Sequence, residues 1–95
     1  MSYAWEFTDR AAREFRALDT WLQEETLDEI EESAADPGSD EYPRRTNEQV
    51  YDFVRDRGGK RVYVFYVASA DALTRIFKIV SVGSFSKELP NSLLS

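Results

Sequence analysis

The chain has 95 residues and 11.0 kDa, with 18 acidic against 12 basic side chains and a net charge of −6. It has no cysteine and no histidine, which excludes disulfides, thiolate and imidazole metal sites, and any histidine-dependent triad. One domain fits this length, and an apolar content of 42% with 2 Trp, 5 Tyr and 6 Phe is ample for a packed core.

The opening residues lack a basic start and an apolar run, so no secretion signal is expected, and no stretch approaches the roughly 20 apolar residues of a membrane span. A cytoplasmic location and no membrane partner follow as expectations. Scarce lysine and abundant carboxylates suit a salt-rich cytoplasm.

Tyr3-Ala4-Trp5-Glu6-Phe7 alternates with period two and predicts a short strand turning Tyr3, Trp5 and Phe7 to a core. Thr8 or Asp9 then caps a helix whose Ala12, Phe15 and Leu18 share a face, ending near Leu18 or Asp19. Asp19 and Thr20 are caps for a second helix that runs through Trp21, Leu22, Leu27 and Ile30 to about Ala35. Asp36-Pro37-Gly38-Ser39-Asp40 stops it by turn chemistry. Nine acids and no base lie between Glu24 and Glu41, which reads as a solvated helix face and loop.

Beyond the loop the composition turns to Val, Ile, Phe and Tyr, and three strands are predicted: Val50 to Arg55, Arg61 to Ala68 and Leu73 to Val82. Gly58-Gly59 supplies a tight turn between the first two, Ser69 to Ala72 a looser one between the next. A polar, partly ordered tail is expected from Ser84 to Ser95. The fold class is α+β: an N-terminal strand, a helical hairpin, then a three-strand antiparallel meander completing a four-stranded sheet, as a single domain over residues 1–95.

Charge is sorted by position. Residues 1–41 hold 3 basic and 13 acidic side chains, and residues 42–95 hold 9 basic and 5 acidic. The second half can therefore present a cationic face on an acidic protein. Arg55, Arg57, Lys60 and Arg61 flank the Gly-Gly turn, Arg75 and Lys78 lie toward the last strand, Lys87 lies in the tail, and Arg44 and Arg45 approach from the loop. Strand alternation places Arg61, Tyr63 and Phe65 on one face, and Val62, Val64 and Tyr66 on the other. Arginine matches phosphate oxygens and aromatic rings stack on unpaired bases, so this set points to single-stranded RNA; the competing reading makes the aromatics core and the charges ordinary hairpin residues.

Metal-free RNA cleavage needs a base, a cation for the developing phosphorane charge and an acid. Arg61 and Arg57 are candidate cations. Tyr63, Tyr66, Lys60 and Asp56 are the remaining candidates for proton transfer. No cofactor is called for, and Gly58-Gly59-Lys60 lacks the spacing of a phosphate loop.

Three segments together resemble the RelE/ParE superfamily of toxins from toxin–antitoxin operons. They are Tyr3 to Ala11 with the Phe15, Leu18-Asp19 spacing, Tyr51-Asp52-Phe53-Val54-Arg55 through Gly59-Lys60-Arg61-Val62, and Ile79-Val80-Ser81-Val82-Gly83. The resemblance implies an antitoxin partner and, for RelE-like members, a sheet face that grips messenger RNA in the ribosome and cleaves it. On that reading Arg61, Arg57 and Lys60 form the catalytic set, and Arg44, Arg45, Arg55, Tyr63, Arg75, Lys78 and Lys87 bind RNA. Asp52 and Val54 stand where active members carry basic side chains, and the tail has no Tyr or His. The alternative is a non-catalytic ParE-like or degenerate member that holds a protein, gyrase or antitoxin.

Overall fold

The computed structural model describes residues 3–35 and 48–90, as six elements in the order β1 (Ala4–Phe7), α1 (Asp9–Arg16), α2 (Thr20–Ala35), β2 (Glu48–Arg57), β3 (Lys60–Asp71) and β4 (Ile76–Glu88). The sheet order is β1-β4-β3-β2, with β1 parallel to β4 and the other pairs antiparallel. The expected α+β architecture is the one observed.

Local chemistry explains the boundaries. Thr8 caps α1, its hydroxyl accepting from Ala11 N at 3.1 Å, with Asp9 in the first turn and Arg13 and Arg16 in the last, as the helix dipole favours. Gln23 donates its side-chain amide to the carbonyls of Leu18 at 2.9 Å and Arg16 at 3.3 Å, so the second helix ties down the carboxyl end of the first. Gly58 and Gly59 both take positive φ, 61° and 76°, the two-residue turn that twists with its strands.

The strands run longer than their apolar stretches. β2 and β3 reach the Gly-Gly turn itself, since Arg57 pairs with Lys60. The polar segment expected as tail from Ser84 is strand as far as Glu88, zipped against β3 by Lys60 pairing with Glu88, and Leu89 N then donates to Gly59 O at 2.9 Å. At the other end β4 begins at Ile76, not Leu73. Asp71 takes the amides of Leu73 and Thr74 on its carboxylate, and its carbonyl accepts from Arg75 N at 2.7 Å, making residues 72–75 a turn.

The helices pack on one side of the sheet. Val64, Tyr66, Ala68, Phe77 and Ile79 are fully buried there with Ile30 and Ala11, while Trp5 and Phe7 of β1 pack around them. The buried stripe of α2 is Leu22, Thr26, Ile30 and Ala34, a four-residue repeat; Trp21 and Leu27, expected on that face, are half-buried at its flanks. On α1 the fully buried residue is Ala11, whose small side chain lets the helix approach β4, while Phe15 meets the Phe7 ring at 4.9 Å.

One irregularity positions the site. Val67 pairs with Ser81 but Ala68 pairs with Ile79, so Val80 is an extra residue, a bulge in β4. Glu14 of α1 braces it, accepting from Ser81 Oγ and Val82 N, each at 3.2 Å. Beyond the bulge the alternation changes phase: Ser84 and Ser86 turn to the helix side, Phe85 and Lys87 to the other.

Candidate functional site

Across β2, β3 and β4 the face without helices is built in rows. Asp56, Arg61 and Lys87 form the row nearest the turn; Val54, Tyr63 and Phe85 the next; then Asp52, Phe65 and Gly83; then Val50 and Val67. Its apolar side chains stand in the open: Val50 is 65% exposed, Phe85 54%, Val54 44% and Phe65 37%. The Tyr63 and Phe85 rings stack with centroids 4.8 Å apart. The Phe65 ring closes over Gly83, where any Cβ would collide with it. A shallow depression of about 270 Å³ runs among Asp52, Val54, Tyr63, Phe65 and Phe85.

Cations on this face are few. Arg61 is held by Asp56 through Nε to Oδ1 at 2.9 Å and Nη2 to Oδ2 at 3.1 Å, a fork that raises the guanidinium pKa and lowers that of the carboxyl. Lys87 stands beside it on β4.

The other basic residues do not gather here, contrary to the convergence expected from sequence. Arg55 and Arg57 alternate onto the helix side, because the Gly-Gly turn pairs Arg55 with Val62 and Arg57 with Lys60. Arg55 reaches α2, giving Nη2 to Glu29 at 2.9 Å and Nε to Glu25 at 3.3 Å, with its carbon over the Phe53 ring at 4.8 Å. Those two carboxylates raise its pKa. Arg57 lies over the Trp21 ring, 4.6 Å from its centroid. Lys60 shares that side. Lys78 is on the open face at the far end, where it meets Glu6 of β1 at 3.7 Å. Arg75 is in the β3–β4 turn, and Arg44 and Arg45 lie outside the described residues.

Among the candidate bases, Tyr66 is on the wrong side of the sheet. Its hydroxyl donates to Glu29 O at 3.3 Å and shares a 2.7 Å hydrogen bond with Ser33 Oγ, and burial pushes its pKa up to about 12. Asp56 is engaged by Arg61. Of the other two, Tyr63 shares the open face with Arg61, and Lys60 is on the helix side. Among the described residues no group of carboxylates could hold a metal ion, and no helix is long and apolar enough to cross a membrane.

The Asp56–Arg61 pair was legible in principle, since a two-residue turn sets these two directly opposite. The grip of Arg55 on Glu25 and Glu29 was not, because it joins elements far apart in sequence.

This arrangement, a helical hairpin on one side of a β1-β4-β3-β2 sheet with an open opposite face, is the fold of the RelE toxins. The isolated Escherichia coli RelE toxin superposes with a TM-score of 0.63 at 20% identity, covering 98% of this chain and 95% of that one. RelE in the intact E. coli RelBE toxin–antitoxin complex gives 0.61 at 22% identity, over 86% and 95% of the two chains. The archaeal RelE–RelB complex of Pyrococcus horikoshii OT3 gives 0.55 at 13%, over 87% and 94%. No protein-family model and no curated protein matches the sequence.

Proposed function

We propose that this chain is the toxin component of a toxin–antitoxin pair, held by a cognate antitoxin protein, and that it acts by gripping its target with the open sheet face and not by cleaving messenger RNA. The fold supports the first part, because the similar structures include RelE toxins solved together with their antitoxins. The row of exposed apolar and aromatic side chains carries the second. Val50, Val54, Tyr63, Phe65 and Phe85 form a contiguous surface of the kind that monomers cover with a partner.

Cleavage finds little support in this surface. It requires a proton acceptor, a cation and a proton donor around one phosphate. Here Asp52 and Val54 occupy β2, Arg61 is paired with Asp56, and Arg55 and Arg57 face away. One juxtaposition does favour the RNA-cleaving reading as a second possibility: Arg61, Lys87 and Tyr63 occupy adjacent positions, with the Tyr63–Phe85 stack offering a platform for an unpaired base.

Inducible expression of the chain alone, and with the product of its neighbouring small gene, separates these readings. The expected outcome is growth arrest relieved by the neighbour, with translated messages intact by primer extension, and loss of toxicity on Val54→Asp. Cleaved messages, with toxicity abolished by Arg61→Ala and Tyr63→Phe but retained in Val54→Asp, would establish the nuclease instead.

A further inference from the structure

On the helix side, between the start of α2 and the β2–β3 turn, lies a half-open cavity of about 370 Å³ that the open-face reading does not use. Its lining combines four chemistries. Arg57 and Lys60 supply cations, Ser84 and Ser86 supply hydroxyls, and Trp21, Leu22 and Val62 supply an aromatic and aliphatic wall; Asp19 adds a carboxylate acceptor. Of the four cations around the turn, Arg55 and Arg61 are bound to acids. Arg57 and Lys60 have no acid partner among the described residues, although the chain is acidic overall. The two hairpin cations left without an acid partner thus both line the cavity, while Lys87 of β4, likewise without one among the described residues, stands on the open face.

The geometry points to a binding site for a small phosphorylated ligand of mononucleotide size, distinct from the open face. The volume falls in the range of small-molecule pockets. A phosphate monoester satisfies a guanidinium, an ammonium and two hydroxyl donors at once, which a carboxylate with two oxygens does less fully. A purine ring would lie against Trp21, Leu22 and Val62, beside the Arg57 guanidinium that already covers the Trp21 ring, with the Asp19 carboxylate accepting from ribose hydroxyls or an exocyclic amine. The phase change at Val80 is what brings Ser84 and Ser86 to this side. The site stands independently of the toxin assignment, since all its lining residues but Phe85 lie away from Tyr63 and Arg61, on the other side of the sheet.

Calorimetric titration of the purified chain with AMP, GMP, adenosine and inorganic phosphate tests this, with Trp fluorescence as a second readout. Trp21 lines the cavity and Trp5 packs against Phe7, so Trp21→Phe identifies the responding ring. Saturable binding of AMP or GMP is expected, weakened roughly tenfold or more by Lys60→Gln and by Arg57→Gln, each of which removes a charged donor. Lys78→Gln, which makes the same charge change at the far end of the sheet, should leave it unaltered. Absence of saturable binding up to about 1 mM, equal binding of adenosine or of phosphate alone, or full affinity in both Gln variants would overturn the assignment.

Discussion

The two faces of the sheet are built from the same kinds of residue and have opposite fates. On the helix side Tyr66, Phe77 and Ile79 disappear under α1 and α2; on the open side Val50, Val54, Phe65 and Phe85 meet solvent with nothing described above them. Apolar character in a strand therefore does not by itself identify the core. What distinguishes the faces is cover, since α1 and α2 close over one and nothing described lies over the other. On the buried face Tyr66 has found Ser33 and Glu29 O, whereas on the open face Asp56 and Arg61 satisfy each other at the rim and leave the aromatic rows unoccupied.

The contrast is broken most severely by truncation. Phe77→Ala should cost about 3–5 kcal/mol, and Ile30→Ala about 2–5, in urea unfolding, because each leaves a cavity in a fully enclosed site. The same truncation at Val50 or Val54 should cost less than about 0.5 kcal/mol; a large loss there would mean that the open face is interior. Next comes alkali. Burial pushes the Tyr66 phenol from 10.0 up to about 12, so the native state keeps its proton over that interval and stability declines as pH rises through it, by a few kcal/mol at most. Below pH 10 the contribution is complete. Tyr66→Phe should flatten this slope, read as the pH dependence of the unfolding midpoint.

Smaller effects sharpen the picture. Thr26 buries a hydroxyl with no hydrogen-bond partner in the stripe of α2 that meets the sheet side of the core, so Thr26→Val should raise stability by about 1 kcal/mol in thermal unfolding. Arg61→Gln should leave the thermal unfolding midpoint nearly unchanged, because its pair with Asp56 is exposed. A function that vanishes while the melting curve stays put would assign Arg61 to contact with a target.

Much of the frame could be read from the residues. Thr8 as a cap, Gly58-Gly59 as the turn, and the opposed sets Val62, Val64, Tyr66 and Arg61, Tyr63, Phe65 all follow from local rules that no distant contact overrides. The site was less legible for two reasons. Extending the hairpin to the Gly-Gly turn fixes Arg55 and Arg57 on the helix side, a matter of register that clustering in sequence conceals. The extra residue at Val80 is invisible to alternation, since it depends on Glu14 reaching across from another element. That single residue decides which of Ser84, Phe85, Ser86 and Lys87 belongs to which face.

A practical consequence comes from Phe85, which contributes to the lining of both the helix-side cavity and the open depression. β4 is a partition one strand thick, and this position is common to both chambers. Any phenotype of a Phe85 variant is therefore a mixture that neither side can claim, whereas Lys60 and Val54 each border one chamber and report on it alone.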